Sequence, residues 1–165
     1  AWNALLGEQP SATPFMRHEY LTALHESGSA TAETGWRPQF LSVCEGDTLV
    51  AACPLYIKDH SYGEYVFDWA WADAYRRHGL DYYPKLLAAV PFTPVPGPRL
   101  LARTTDSRLA LLSGMQQLAT QAGLSSAHLL FLDEADSVAA GTVIAGAAGA
   151  GAPTGIDWDS GGPAV

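Results

Sequence analysis

The sequence predicts an α/β (α+β) fold, with a mixed central sheet, a β-hairpin and helices on both faces. Three observations support it. Strand-like and helix-periodic segments alternate along the chain, which layered α/β architectures produce. The hairpin FLSVCEGDTLVAACPLY has apolar residues on both faces (Leu41, Val43 and Val50 on one, Phe40, Cys44 and Leu49 on the other), so both faces need cover. The chain has 165 residues, 48% hydrophobic and 16% charged, enough for one packed core and too apolar for a disordered chain.

In chain order, Thr13 and Pro14 form an N-cap and N1 pair, and a helix follows to about Glu26 with Phe15, Leu21 and Leu24 facing inward. Residues 27–35 are small and polar, a loop. Strands are expected over 36–45 and 48–58, joined by a tight turn at Gly46-Asp47. That turn pairs Glu45 with Thr48, Cys44 with Leu49 and Cys53 with Phe40, so the two cysteines are not partners and read as reduced core thiols. A third strand is expected over 62–67 and a short fourth over 99–102. Asp106 caps a helix through Gln121, with Leu109, Leu112, Met115 (or Gln116) and Ala119 inward and Gly123 as its stop. A last strand runs over 127–132. Beyond Asp136 the composition changes: residues 138–165 hold seven Gly, eight Ala and no Lys, Arg or His, and are expected to be loose.

The stretch 66–101 is the densest in aromatics, mixed charge and turns. Asp68 caps a helix that carries Trp71, Tyr75 and His78 on one stripe and stops at Gly79. Asp81 and Pro84 open a second short helix, KLLAAV, and Pro91, Pro94, Pro96 and Pro98 make its exit stiff. Trp69, Trp71, Tyr75, Tyr82 and Tyr83 either line a groove with cationic ends at Arg76, Arg77 and Lys85, or plug the core between helices and sheet. Asp68 and Asp73 are either bases or a helix cap and a solvated charge. The proline corner either turns the chain or presents the N–H groups of Val95, Gly97 and Arg99. The candidate substrate-binding set is Asp68, Trp69, Trp71, Tyr75, Tyr82, Tyr83, Lys85, Pro96 and Gly97.

Net charge is −8, which argues against unaided nucleic-acid binding. No run is long and apolar enough for a transmembrane helix, and AWNALLGEQP lacks the marks of a signal peptide. Reduced cysteines point to a cytoplasmic location. The HExxH, CxxC, GxSxG, Walker and GxGxxG patterns are absent. His18 and His25 are too few and too widely spaced for zinc, so no metal is expected; His128 reads as a hydrogen-bonded core or edge residue.

The blocks PFMRHEYLTALHESGS, GDTLVAACPLYIK and GEYVFDWAWADAYRRHGLDYYPKLLAAVPFTPVPGPRLL, in that order, resemble the FemAB-like proteins, relatives of the Fem peptidoglycan aminoacyltransferases and of the GNAT acyltransferases. The resemblance covers about 2–136 and implies a GNAT-like N-terminal lobe over 1–136, followed by an Ala/Gly-rich segment, 137–165, unlike the family. Fem-type enzymes join amino acids carried on tRNA to a cell-wall precursor peptide and are built from two GNAT-like lobes. The implied function is the first lobe of an N-acyltransferase or aminoacyltransferase acting on an amine, with a small-molecule or peptide acceptor. The alternatives are a non-catalytic precursor-binding domain and an inactive truncated fragment. No permanently bound cofactor is implied; acyl-coenzyme A or aminoacyl-tRNA would be a co-substrate. RTTDSRLAL occupies the position of the GNAT pyrophosphate loop but lacks its glycines, which counts against a thioester donor. A second GNAT-like lobe or a homo-oligomer would complete the site. This chemistry needs positioning and oxyanion stabilisation rather than a fixed triad, so the resemblance assigns no catalytic residue.

Overall fold

Pro54 divides the expected hairpin between two sheets. The computed structural model describes residues 1–66 and 68–149. In it β1 (Arg37–Pro38) and β2 (Leu41–Glu45) replace the single strand expected over 36–45, and β3 (Thr48–Cys53) and β4 (Leu55–Lys58) replace that over 48–58. Proline has no N–H to give a ladder, so the chain leaves one sheet at Cys53 and enters the other at Leu55. The turn pairs Glu45 with Thr48 and Cys44 with Leu49 as expected, but the register then shifts between Val43 and Cys44. Cys53 therefore faces Leu41 rather than Phe40, and Cys44 is exposed rather than a core thiol; both cysteines are free.

The run after cis-linked Pro84 is a strand, not the expected second helix. β5 (Lys85–Ala88) is buried along its whole length, pairs antiparallel with β4 and parallel with β7 (Ala127–Leu129). An uninterrupted apolar run suits a strand covered on both faces, and two flanking strands decide the matter. The four-stranded sheet has the order β1-β4-β5-β7, and the three-stranded sheet the order β2-β3-β6, with β6 at Leu101–Ala102 where a short fourth strand was expected. Residues 62–66 form turns rather than a third strand, because Gly63 and Tyr65 both take positive φ (82° and 61°); Phe67, the last residue of that expected strand, lies outside the described residues.

The N-terminal helix is likewise divided. A 3-10 turn (Pro14–Met16) ends at extended Arg17, and α2 (His18–Glu26) starts afresh; α1 (Trp2–Gly7) was not foreseen. α3 (Trp69–Arg77) stops before Gly79, at φ 69°, as expected. α4 (Thr105–Gln121) is capped by Thr104 in a reciprocal pair with Ser107, rather than by Asp106, which lies in the first turn. Gly123 follows it at φ 63°. Residues 137–149, expected to be loose, are helical within α5 (Glu134–Gly149); 150–165 lie outside the described residues. Alanine gives α5 its helix propensity, and Ala139, buried, packs it into the main core.

The main core lies between α4, α5 and both sheets, around Leu55, Leu86, Leu111, Leu112 and Met115. A second cluster joins Leu5, Leu6, Met16 and Leu21 to Ala52 and Leu101. A third covers the opposite face of the four-stranded sheet with Trp36, Tyr56, Leu87, Ala89 and Leu130. Helical cover on both faces of a mixed sheet makes this an α/β fold.

Candidate functional site

Strand periodicity carries two lysines onto that third-cluster face. Lys58 follows Tyr56 by two residues on β4, and Lys85 precedes Leu87 by two on β5, so all four point the same way. Lys58 and Lys85 are direct cross-strand partners. Adjacent like charges are unfavourable, and both residues are buried, at 0% and 2% exposure. The segment between β4 and α3 folds over them and supplies the compensating charge. Glu64 Oε2 and Asp68 Oδ2 accept from Lys85 Nζ at 2.8 and 2.6 Å. Tyr83 donates its hydroxyl to Asp68 Oδ1 at 2.9 Å. Lys58 Nζ lies 3.7 Å above the centre of the Trp36 ring and donates to the Tyr62 carbonyl at 3.2 Å, but makes no ion pair among the described residues.

Burial and charge set the protonation of the group. Burial pushes the Lys58 amine down to about 8, aided by Lys85 and opposed by Glu64. Burial raises the Glu64 carboxyl, and Lys85 only partly offsets this. Burial also pushes the Asp68 carboxyl up, but the Lys85 hydrogen bond and charge outweigh it and hold Asp68 below its ordinary value. The result is Lys85 tied to both Asp68 and Glu64, beside Lys58, which has no ion pair among the described residues.

Of the residues expected at the site, Asp68, Tyr82, Tyr83 and Lys85 come together. Tyr75 and Tyr83 each meet the Tyr82 ring edge-on at 5.1 and 5.0 Å, and Lys85 Nζ lies 5.4 Å from the Tyr82 ring centre. Asp68 occupies the N-cap position of α3 but makes no capping bond, since its carboxylate is spent on Lys85 and Tyr83. Trp69 and Trp71 stand outside the cluster, 64% and 53% exposed, and α3 buries none of its residues. Like Tyr62 and Tyr65 they are exposed rings rather than a core plug. Asp73 is paired with Arg76 and Arg77 on the helix surface, so it is a solvated charge and the two arginines are not the ends of a groove.

Pro96 and Gly97 belong to a different place. Lys85 begins β5, whereas the proline segment leaves its other end. Gly97 packs on Thr13 and bonds to the Phe131 carbonyl at 3.0 Å. The N–H of Val95 goes to Thr93 and that of Arg99 to Asp136, so this corner presents none of the three amides it was read as offering. Its purpose is structural: buried Asp136 accepts from the Arg99 and Leu100 amides and from Arg108, which ties α5 to the strand β6 and to α4.

Trp36, Lys58 and Glu64 were missed. In sequence Lys58 reads only as the last residue of the strand over 48–58, although its period-2 spacing from Tyr56 puts it on the same face as that residue. His128 is a hydrogen-bonded residue of the edge strand β7, 2.7 Å from Ser126, and burial pushes its imidazole down to about 4. His18 and His25 line a separate groove of about 260 Å³ with Trp2, Leu21, Thr22, Pro38 and Phe40. Among the described residues no group of carboxylate, imidazole or thiol side chains is placed to hold a metal, and no helix is long and apolar enough to cross a membrane.

The arrangement defines an α/β domain with a buried, charge-balanced cluster on one sheet face beneath the loop that carries Glu64. The family model for FemAB-like proteins, described as peptidoglycan biosynthesis/recognition, matches residues 1–145, and the chain belongs to that family. The match runs past Asp136 into α5, beyond the boundary expected from sequence. No curated protein and no solved structure is significantly similar to the chain.

Proposed function

We propose that this domain receives the peptide of a cell-wall precursor for acyl or aminoacyl transfer to an amine, as the first, GNAT-like lobe of such a transferase. The acyl donor, an acyl-coenzyme A or an aminoacyl-tRNA, comes as a co-substrate, and a second lobe in the same or a partner chain closes over it. The family's description supports the precursor as the ligand class. The observation that carries the reading is the buried cluster of Lys58, Lys85, Glu64 and Asp68. Four buried ionisable groups stabilise a fold no better than apolar residues of the same volume, so their presence fits a task. Transfer to an amine requires a proton acceptor for the attacking nitrogen and donors for the developing oxyanion. Among the described residues Glu64 has one oxygen without a partner and Lys58 has donor capacity to spare, so residues for the first need and the second are both present.

A second reading, precursor binding without transfer, is favoured by one observation. Lys85, Asp68 and Tyr83 are spent on one another, which suits a rigid receptor better than a proton shuttle. Incubation of the full chain with a soluble precursor peptide and each donor in turn, followed by mass spectrometry of the peptide, separates the two. An acylated peptide supports transfer. Saturable binding with no acylated product supports recognition alone. No binding at all sinks both readings. The free thiols of Cys44 and Cys53 accord with a cytoplasmic setting for either role.

A further inference from the structure

Two buried polar atoms have no hydrogen-bond partner among the described residues, and both belong to the same cluster: Trp36 Nε1 and Glu64 Oε1. Their residues are 0% and 3% exposed. A buried polar group without a partner loses its hydration with nothing in return, so a fold that keeps two together carries a sizeable penalty. Lys58 Nζ, over the Trp36 ring, adds spare donor capacity, with one acceptor among the described residues for its three N–H bonds. Gly63 brings the segments together: a Cβ there would lie 3.3 Å from Trp36 Nε1 and 2.6 Å from the Phe92 ring.

The set is therefore two donors, one of them cationic, and one carboxylate acceptor. A simple anion would meet Glu64, and a simple cation would meet Lys58. A neutral group with both carbonyl oxygens and an N–H meets neither conflict. That is the hydrogen-bonding pattern of a peptide backbone. The covering loop, residues 59–66, is built to turn its own bulk outward: Tyr62 and Tyr65 are 72% and 58% exposed, while Glu64 points in. Tyr65 holds a left-handed φ of 61°, a strained value for an aromatic residue and one that occurs at switch and ligand-clamp segments.

We propose that Trp36, Lys58 and Glu64 form a niche for a peptide backbone unit, its carbonyl oxygens accepting from Trp36 Nε1–H and the Lys58 amine and its N–H donating to Glu64 Oε1, with the 59–66 loop opening to admit it and closing again to bring Glu64 back onto it. This rests on the precursor peptide as the ligand and names the part of it that is gripped and the side chains that grip it.

The test follows the Trp36 indole N–H by proton–nitrogen NMR of the full chain, its resonance identified by its loss in Trp36→Phe. The probes are N-acetyl-alanine N′-methylamide, its tertiary-amide analogue methylated on both amide nitrogens and so without any N–H, sodium acetate, and a soluble precursor peptide. The niche requires a saturable downfield shift with the methylamide and the precursor peptide, at least tenfold weaker with the tertiary amide. Lys58→Met should weaken both by about tenfold while the melting temperature is kept. If Lys58→Met fails to fold, calorimetry on Trp36→Phe, which keeps an aromatic ring, must show the same weakening. An equal shift with acetate would mean a plain anion hole and overturn the assignment. Heat of precursor binding with an unmoved Trp36 resonance would overturn it too, yet leave the functional reading standing. Absence of any binding, with only water filling the niche, would remove both.

Discussion

Replacing Lys85 with Met isolates the cluster's electrostatics. Methionine keeps the unbranched shape of the buried stem and removes only the ammonium. Two carboxylates within 2.8 Å of Nζ then lose their shared counter-charge, and both stay buried, at 3% and 4% exposure. Breaking a buried pair from one side costs about 3–5 kcal/mol. The deficit also depends on pH in a definite direction. Without Lys85 the folded-state pKa of Glu64, already raised by burial, rises further, and that of Asp68 moves from below its ordinary value to above it. Carboxyls with raised folded pKa values bind protons more readily folded than unfolded. The penalty is thus fully present above those pKa values and is relieved as pH falls through them. Urea unfolding followed by circular dichroism should show a loss of about 3–5 kcal/mol at pH 7 and a clearly smaller loss at pH 5. Adding Asp68→Asn and Glu64→Gln should restore most of the loss at pH 7. A deficit under 1 kcal/mol, or one that grows as pH falls, would refute the view that these carboxylates depend on Lys85.

The other expectations concern separate parts of the chain. Gly63→Ala places a Cβ 2.6 Å from the Phe92 ring at a φ of 82°, and should lower stability by about 1–3 kcal/mol in the same urea assay. Thr104→Ala removes the α4 cap bond to the Ser107 amide and should cost about 1 kcal/mol with no change in ligand affinity. Burial, together with nearby Asp133, pushes the Asp136 carboxyl up to about 6 against the bonds it accepts from the Leu100 and Arg99 amides. Its folded pKa thus exceeds its unfolded value, and it contributes stability that is lost as pH rises through about 6. The stability difference between wild type and Asp136→Asn should therefore change between pH 4 and pH 7 in that sense, and a constant difference would remove the assignment. Trp71→Ala alters an exposed ring and should leave stability within about 0.5 kcal/mol while weakening precursor binding measured by calorimetry.

The parts of the fold written in local chemistry were legible. Gly46-Asp47 announced its turn and the first two register pairs, Gly79 and Gly123 ended their helices, and the apolar strand at Ala127 was found. The run KLLAAV was not, because an unbroken apolar segment has no period and Pro84 can open a strand as well as a helix. Only pairing with β4 and β7 decides it. The same error hid half of the cluster. With 85–88 taken as a helix, Lys85 could still be placed beside Asp68 and Tyr83 by proximity in sequence. Lys58 could be placed opposite Lys85 only by knowing that both are strand residues. Glu64 and Trp36 reach the face from a loop and a strand end, and no spacing rule links them to it. Pro96-Gly97 was misjudged for the opposite reason. A rigid corner is conspicuous in sequence, but its amides are consumed by Phe131 and its neighbours.

Hydrogen exchange of the full chain, with and without a soluble precursor peptide, examines the claim that the Lys58–Lys85 sheet face takes up ligand. Slower exchange confined to the amides of 59–66, β5 and the start of α3 is the outcome required. Slowing centred instead on Trp2, His25 and Phe40, at the other groove, would contradict it, as would a bound peptide that leaves 59–66 unprotected.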